Sequence, residues 1–326
     1  MSVYWRPIPE EGGALPLAGG WLRFSRLERL ERGGVPARIL PAEAAPPEVL
    51  SALTALRAPV MGVGLDRPSV MGIVNATPDS FSDGGSYDGI AHGRELIAQG
   101  ADLLDIGGES TRPGADEVDV AEEIARVVPV IAALRERPIS VDTRKAQVAR
   151  AALAAGAGLI NDVSGFDFDP ALAALAAESG APVCLMHAQG VPATMQDDPR
   201  YEDVLLDVYD ALAARIARAE AAGIARARIV VDPGIGFGKT LDHNLAILNR
   251  ISLFHGLGCG ILLGVSRKRF IGEIAAQPAP RERMPGTLAV TLASVGQGVQ
   301  MHRVHDVAAA VQGLALWRAV TERTGR

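Results

Sequence analysis

The sequence predicts a closed (β/α)8 barrel, a TIM barrel in the α/β class, preceded by an N-terminal extension. Three observations predict it. From about Arg67 onward, short aliphatic runs alternate with Ala/Leu/Arg/Glu-rich segments of helical spacing. The strand-like runs are near-continuously apolar, as parallel strands covered on both faces must be. Each run then ends in polar or glycine residues rather than in a generic turn. Eight such units in about 260 residues match the usual size of this architecture.

Taken in order, the strands are predicted near Val70–Asn75, Leu103–Ile106, Ile139–Asp142, Leu159–Asn161, Val183–His187, Ile229–Asp232, Ile261–Val265 and Val299–Arg303. Helical spacing fills the gaps, as in Val118–Leu134 and in Val204–Ala222, the latter followed by Gly223 where a helix should stop. A helix between two apolar strands implies a right-handed crossover, hence parallel neighbours. A doubly wound open sheet would use the same units, but its dinucleotide fingerprint is missing after the first strand. Residues 1–66 differ from the barrel unit at 67–326: they are rich in Pro and Gly, hold Trp5 and Trp21, and contain no catalytic-looking cluster. A small packing layer is the expectation for them.

Composition narrows the function classes. With 326 residues, 48% of them hydrophobic, the chain can build one large core plus an accessory segment. A formal charge of −6 and the lack of a basic run argue against a nucleic-acid partner held through phosphate neutralisation. Cys184 and Cys259 lie in apolar runs without a CxxC pair, so buried thiols are expected. The N-terminal MSVYWRPIPEEGG lacks a basic-then-apolar signal pattern, and no apolar stretch approaches the roughly 20 residues that span a bilayer. A cytoplasmic location without a membrane partner is expected.

The strand ends carry the chemistry. They read N-A-T-P-D-S-F-S-D-G-G, D-I-G-G-E-S-T-R-P-G, V-D-T-R-K, N-D-V-S-G, M-H-A-Q-G, D-P-G-I-G-F-G-K, G-V-S-R-K and H-R-V-H-D. In a barrel all of them converge on one rim, where active sites of this fold lie. A single Asp at a strand end is ordinarily a turn former or helix cap. A whole ring is different: Asp142, Asn161 and Asp232 would project into one desolvated space with Lys268 opposite. Buried without partners, such charges would cost several kcal/mol each, so the ring implies a ligand with matching donors.

Some apparent motifs fall away. Pro233–Thr240 (P-G-I-G-F-G-K-T) looks like a phosphate-binding loop, but Pro233 stands where its first glycine is required, and Lys239 replaces the last glycine of a dinucleotide fingerprint. His302 and His305 have no further His/Cys cluster to complete a zinc set. His92, His243 and His255 are expected on surface helices or loops. The glycine-punctuated loops Thr77–Gly89 and Gly107–Asp116 carry Asp79, Asp83, Glu109 and Arg112, the make-up of water-excluding lids.

Six segments, MGIVNATPDSFSDGG, ESTRPG, IND, DPGIGFGK, GVSRKRFIGE and RVHDV, occur in that order between about Val70 and the end of the eighth unit. Together they resemble the dihydropteroate synthases, pterin-binding TIM-barrel transferases of folate biosynthesis. The resemblance implies condensation of a 6-hydroxymethyl-7,8-dihydropterin diphosphate with 4-aminobenzoate, aided by Mg²⁺, in a homodimer packed through later helices. It assigns the pterin to Asp142, Asn161, Met186, Asp232 and Lys268, with Asp232 accepting the paired donors of the pterin edge. It assigns the diphosphate to Asn75, Arg112, Arg303 and His305, with Asn75 also on the metal ion. It assigns the aminobenzoate to Thr111, Pro113, Phe237, Ser266 and Lys268. Arg112, Lys268, Arg303 and His305 are the implied catalytic groups.

Ala76 and Ala188 depart from the family pattern, which often has larger apolar residues there; both change volume beside the site and remove no polar role. A pterin-dependent corrinoid methyltransferase would share the barrel and the pterin carboxylates, but S-R-K, T-R-P-G and R-V-H-D suit an aminobenzoate and a diphosphate. A catalytically inactive pterin-binding homologue is the other alternative, and the complete polar ring speaks against it.

Overall fold

The computed structural model describes residues 3–76, 89–110, 117–190 and 195–321. The chain begins with a small antiparallel sheet: β1 (Val3–Pro9), β2 (Leu15–Pro16), β3 (Arg23–Glu31) and β4 (Arg38–Pro41). β3 pairs with β1 along one edge and with β2 and β4 along the other. Phe24 and Leu27 of β3 point inward and meet Leu17, Ala42 and Leu53, the last on α1 (Pro47–Thr54).

Eight parallel strands then close into a barrel: β5 (Ser69–Asn75), β6 (Leu103–Gly107), β7 (Ile139–Asp142), β8 (Leu159–Asp162), β9 (Val183–Met186), β10 (Ile229–Asp232), β11 (Gly260–Leu263) and β12 (Met301–Val304). β12 pairs with β5 through Met301–Val304 against Ser69–Gly72, which completes the ring. Apolar side chains turned outward from the strands meet the surrounding helices, and those turned inward fill the lower barrel. The helices are α2 (Gly89–Ala98), α3 (Val120–Ala133), α4 (Ala146–Ala155), α5 (Ala171–Ser179), α6 (Val204–Ala221), α7 (Leu241–Asn249), α8 (Arg269–Ile274), α9 (Met284–Val295) and α10 (Val307–Thr321). Their starts follow from the sequence: the Asp119 side chain accepts from the Ala121 amide, and that of Asp203 from the Leu205 and Leu206 amides. None of the described helices is long and apolar enough to cross a membrane.

The strands lie within two residues of the expected positions. β9 stops before His187, β11 stops before Val265, and β12 begins after Val299, because Val265 and Val299 fill the core without joining a ladder. Cys184 and Cys259 are buried free thiols, as expected. His255 is a correction. It lies not on the surface but fully buried in a 3-10 segment, Ile251–Leu257, where Nε2 is 3.0 Å from the Gln297 carbonyl and burial pushes its pKa down to about 3. The first sixty residues cover this segment, a tertiary event with no local sequence signal. Ser252 Oγ donates to Pro7 O (2.8 Å), and the buried Arg57 donates to the carbonyls of Ala52, Ala55, His255 and Cys259. Val60, Val63 and Leu65 then pack beneath Met71, Leu103, Leu159, Val230 and Leu262, sealing the barrel end away from the strand C-termini.

Candidate active site

Strand register brings the polar residues level. Asn75 of β5 pairs with Gly107 of β6, Gly107 with Asp142 of β7, and Asp142 with Asn161 of β8, so three predicted site residues share one row around the rim. Across the barrel, Asp232 of β10 pairs with Met186 of β9. Asp142, Asn161, Met186 and Asp232 are all buried, and Asn75 is half-buried.

One row below, the interior holds a charged cluster that sequence reasoning missed. Asp105 of β6 is wholly buried; its Oδ2 accepts from Arg303 Nε (2.5 Å) and from Asn161 Nδ2 (3.0 Å). Arg303 also donates through a terminal nitrogen to Asp142 Oδ2 (2.8 Å). Two carboxylates thus share one guanidinium. Burial raises the pKa of Asp142, with Arg303 opposing, while Asp105 and Asp142 outweigh burial at Arg303 and hold its pKa above the ordinary value. Asp105 Oδ1 and Asp142 Oδ1 remain buried without a hydrogen-bond partner among the described residues. Asp105 was readable only as a lone carboxylate inside the apolar run L-L-D-I-G.

The opposite wall comes from the loops after β10 and β11. Asp232 Oδ1 accepts from the Gly234 amide (2.7 Å); burial raises its pKa, and the cation of Lys268 counters this. Lys268 leads into α8, donates to the Ile235 carbonyl, and lies 4.7 Å from the centre of the Phe237 ring. Loss of solvent pushes its pKa down to about 8, partly offset by Asp232. A Cβ at Gly264 would lie 4.0 Å from Asp232 Oδ2 and 3.8 Å from Arg303 Cβ, which places both residues at one mouth. Ser266 is buried beside His305, its Oγ 2.9 Å from His305 Nδ1 and 3.1 Å from the amide that donates to it.

The structure therefore gathers Asn75, Asp142, Asn161, Met186, Asp232, Phe237, Ser266, Lys268, Arg303 and His305 at the strand C-termini. Thr111, Arg112 and Pro113 lie outside the described residues, as do most of the two loops expected to form lids. Glu109, one of the charges that suggested a lid, is pinned by Arg144 (2.7 Å) and Lys145 (2.8 Å). Arg303 spends its charge on the barrel interior rather than on a solvent-facing anion pocket.

A family model for pterin binding enzymes matches residues 71–305. The dihydropteroate synthase of Neisseria meningitidis serogroup B is 48% identical over 269 residues, covering 79% of this chain and 94% of that one. The chain belongs to the dihydropteroate synthase family. The family member from Escherichia coli K12 is 47% identical over 262 residues, covering 78% of this chain and 92% of its own length. Among solved dihydropteroate synthases, that of Xanthomonas albilineans with 4-aminobenzoic acid aligns at TM-score 0.76 and 48% identity, covering 81% of this chain and 97% of that one. That of Burkholderia cenocepacia, complexed with 7,8-dihydropteroate, aligns at TM-score 0.75 and 44% identity, covering 82% and 97%. The family match begins at Met71, so the N-terminal sheet lies outside it.

Proposed function

We propose that this chain, as a dihydropteroate synthase, joins (7,8-dihydropterin-6-yl)methyl diphosphate to 4-aminobenzoate by ionisation first. The carbon–oxygen bond breaks with its electron pair leaving on diphosphate. The aromatic amine, neutral at pH 7, then forms the carbon–nitrogen bond and loses its proton to water. No strong base is needed for the attack, so stabilising the departing anion is the main task of the protein.

The observation that carries this reading is the pair of buried oxygens, one on Asp105 and one on Asp142, without a hydrogen-bond partner among the described residues, in a barrel whose rim also holds Asn161, Asp232 and Lys268. Buried acceptors of this kind are costly unless a ligand supplies donors, and the amino-pyrimidine edge of a pterin supplies several. Asp232 takes the paired donors, Asn161 and Asp142 take other ring positions, Lys268 donates to the acceptor side, and Met186 packs on the ring face. Phe237, Ser266 and Lys268, with Thr111 and Pro113, receive the aminobenzoate. Arg303, His305 and Arg112 attend the diphosphate.

The amide oxygen of Asn75 would suit a hard divalent ion such as Mg²⁺. Bound there, Mg²⁺ would supply positive charge against the leaving group. Residues 1–66 act as an extension that closes the lower barrel rather than as a separate active unit.

A homodimer through the last helices is part of the same reading. On α10 the apolar side chains of Leu316 and Val320 are 62% and 75% exposed. Leu316→Glu should yield a monomer by sedimentation; an unchanged dimer excludes this face. The activity is tested by mixing both substrates with the protein and Mg²⁺. Dihydropteroate must appear, and its absence rejects the assignment.

A further inference from the structure

The glycine-rich run after β10 ends in a lysine that the reaction described above does not use. In a phosphate-binding loop this lysine would face the ligand. Here Lys239 turns inward and is buried, with Nζ 2.9 Å from His187 Nδ1, 3.0 Å from the Phe237 carbonyl and 3.3 Å from the His187 carbonyl. All three partners are uncharged acceptors, and they belong to two different loops, those after β9 and β10.

Those loops approach so closely that no side chain fits between them. A Cβ at Gly234 (φ +68°) would lie 1.8 Å from the His187 carbonyl oxygen, and one at Gly238 (φ +60°) would lie 2.4 Å from that of Gln189. Gln196 Nε2 donates to the Gly236 carbonyl (2.5 Å) and Tyr201 to that of Gly238 (2.7 Å). The segment so held is the one that presents the Phe237 ring to Lys268.

We propose that Lys239 is a positioning residue for aminobenzoate recognition: bonded to His187 and to the Phe237 carbonyl, it locks the two loops together and sets where Phe237 stands. This rests on the reading of Phe237 as a wall of the aminobenzoate subsite. An enclosed amine served only by neutral acceptors is a poor stabilising device: burial holds the pKa of Lys239 well below its ordinary value, and an apolar residue of similar volume would pack there without desolvating a polar group. Its value lies in direction, because one nitrogen stands within hydrogen-bonding reach of three acceptors on two loops. His187 suits the pairing: burial above all pushes its pKa down to about 2, so its imidazole stays neutral and can accept.

The test is steady-state kinetics with saturating pterin diphosphate and varied 4-aminobenzoate, alongside thermal denaturation and binding of the free pterin. Lys239→Met should raise the KM for aminobenzoate about tenfold, the scale of one or two lost hydrogen bonds, while the melting temperature and the affinity for free pterin stay near those of the parent. His187→Asn, which keeps an acceptor near the Nδ1 position, should restore most of the KM that His187→Leu loses. In the Lys239→Met, His187→Leu double variant the two effects should fail to add, as expected for one shared contact.

Phe237→Ala reports on the underlying reading. If it leaves the aminobenzoate KM unchanged, the wall assignment fails. If it raises KM and Lys239→Met does not, the wall stands and the role of Lys239 is overturned. A parallel collapse of melting temperature, pterin affinity and kcat in Lys239→Met, with His187→Asn no better than His187→Leu, also overturns it.

Discussion

Replacing Asp142 with asparagine separates binding from stability in this barrel. The carboxylate is buried, with one oxygen on Arg303 at 2.8 Å and the other without a hydrogen-bond partner among the described residues. An amide keeps the shape and removes the charge. If the bare oxygen accepts from the pterin, D142N loses one charge-assisted hydrogen bond of about 1.5–3 kcal/mol, and the dissociation constant for a pterin rises roughly 10- to 150-fold. The effect on the empty protein runs the other way. Burial raises the pKa of Asp142, so between its ordinary and its folded pKa the folded state binds more protons than the unfolded state. Wild-type stability therefore falls as pH rises through that window, whereas asparagine does not titrate. Arg303 keeps Asp105 as a partner in the variant. D142N should thus melt higher than the parent at pH 8, by on the order of a few °C, with a smaller advantage at pH 4. Calorimetric titration with a free pterin and thermal scans at both pH values provide the readouts. Unchanged pterin affinity, or a thermal advantage that shrinks as pH rises, would refute the reasoning.

Asp232→Ala should abolish pterin binding by calorimetry, because it removes the acceptor beside Lys268; retained micromolar affinity would contradict that role. His305→Ala should slow turnover while leaving the affinity for free pterin nearly intact, and an equal loss in both would mean that His305 is misplaced. Gly234→Ala should lower the unfolding free energy by about 3 kcal/mol or more, since a left-handed backbone and a Cβ lying 1.8 Å from the His187 carbonyl must both be accommodated. Denaturant titration reads this directly, and an unshifted midpoint would show that the two loops are not in close contact.

The barrel was legible because its physics is local and repeated. Runs such as I-V-V-D and L-I-N-D show both the buried strand and the point where it reaches the rim, so Asp142, Asn161 and Asp232 could be placed before any coordinates. Asp105 was not legible because it sits inside a strand, where its apolar neighbours dominate the pattern and only barrel closure brings Arg303 to it. Lys239 was visible but its direction was not: the phosphate-loop reading fell away at Pro233, and nothing in the sequence showed that the loop, with positive φ at Gly234, Gly236 and Gly238, carries the amine inward. His255 was read as a surface residue because a short 3-10 segment has no periodic face, and its burial depends on a layer that begins some two hundred residues earlier. In that layer, β3 reads R-F-S-R-L-E-R-L-E, with charges outnumbering apolar residues, and the buried Glu28 is met by Arg6 and Arg250.

The account stands most directly on where a bound pterin lies. A crystal structure of the chain with 7,8-dihydropteroate should place the amino-pyrimidine edge within hydrogen-bonding distance of Asp232 and the unpartnered oxygen of Asp142, with the benzoate beside Phe237 and Ser266. A pterin found elsewhere, or one whose donors meet only solvent while Asp105 and Asp142 keep their partners unchanged, would contradict it.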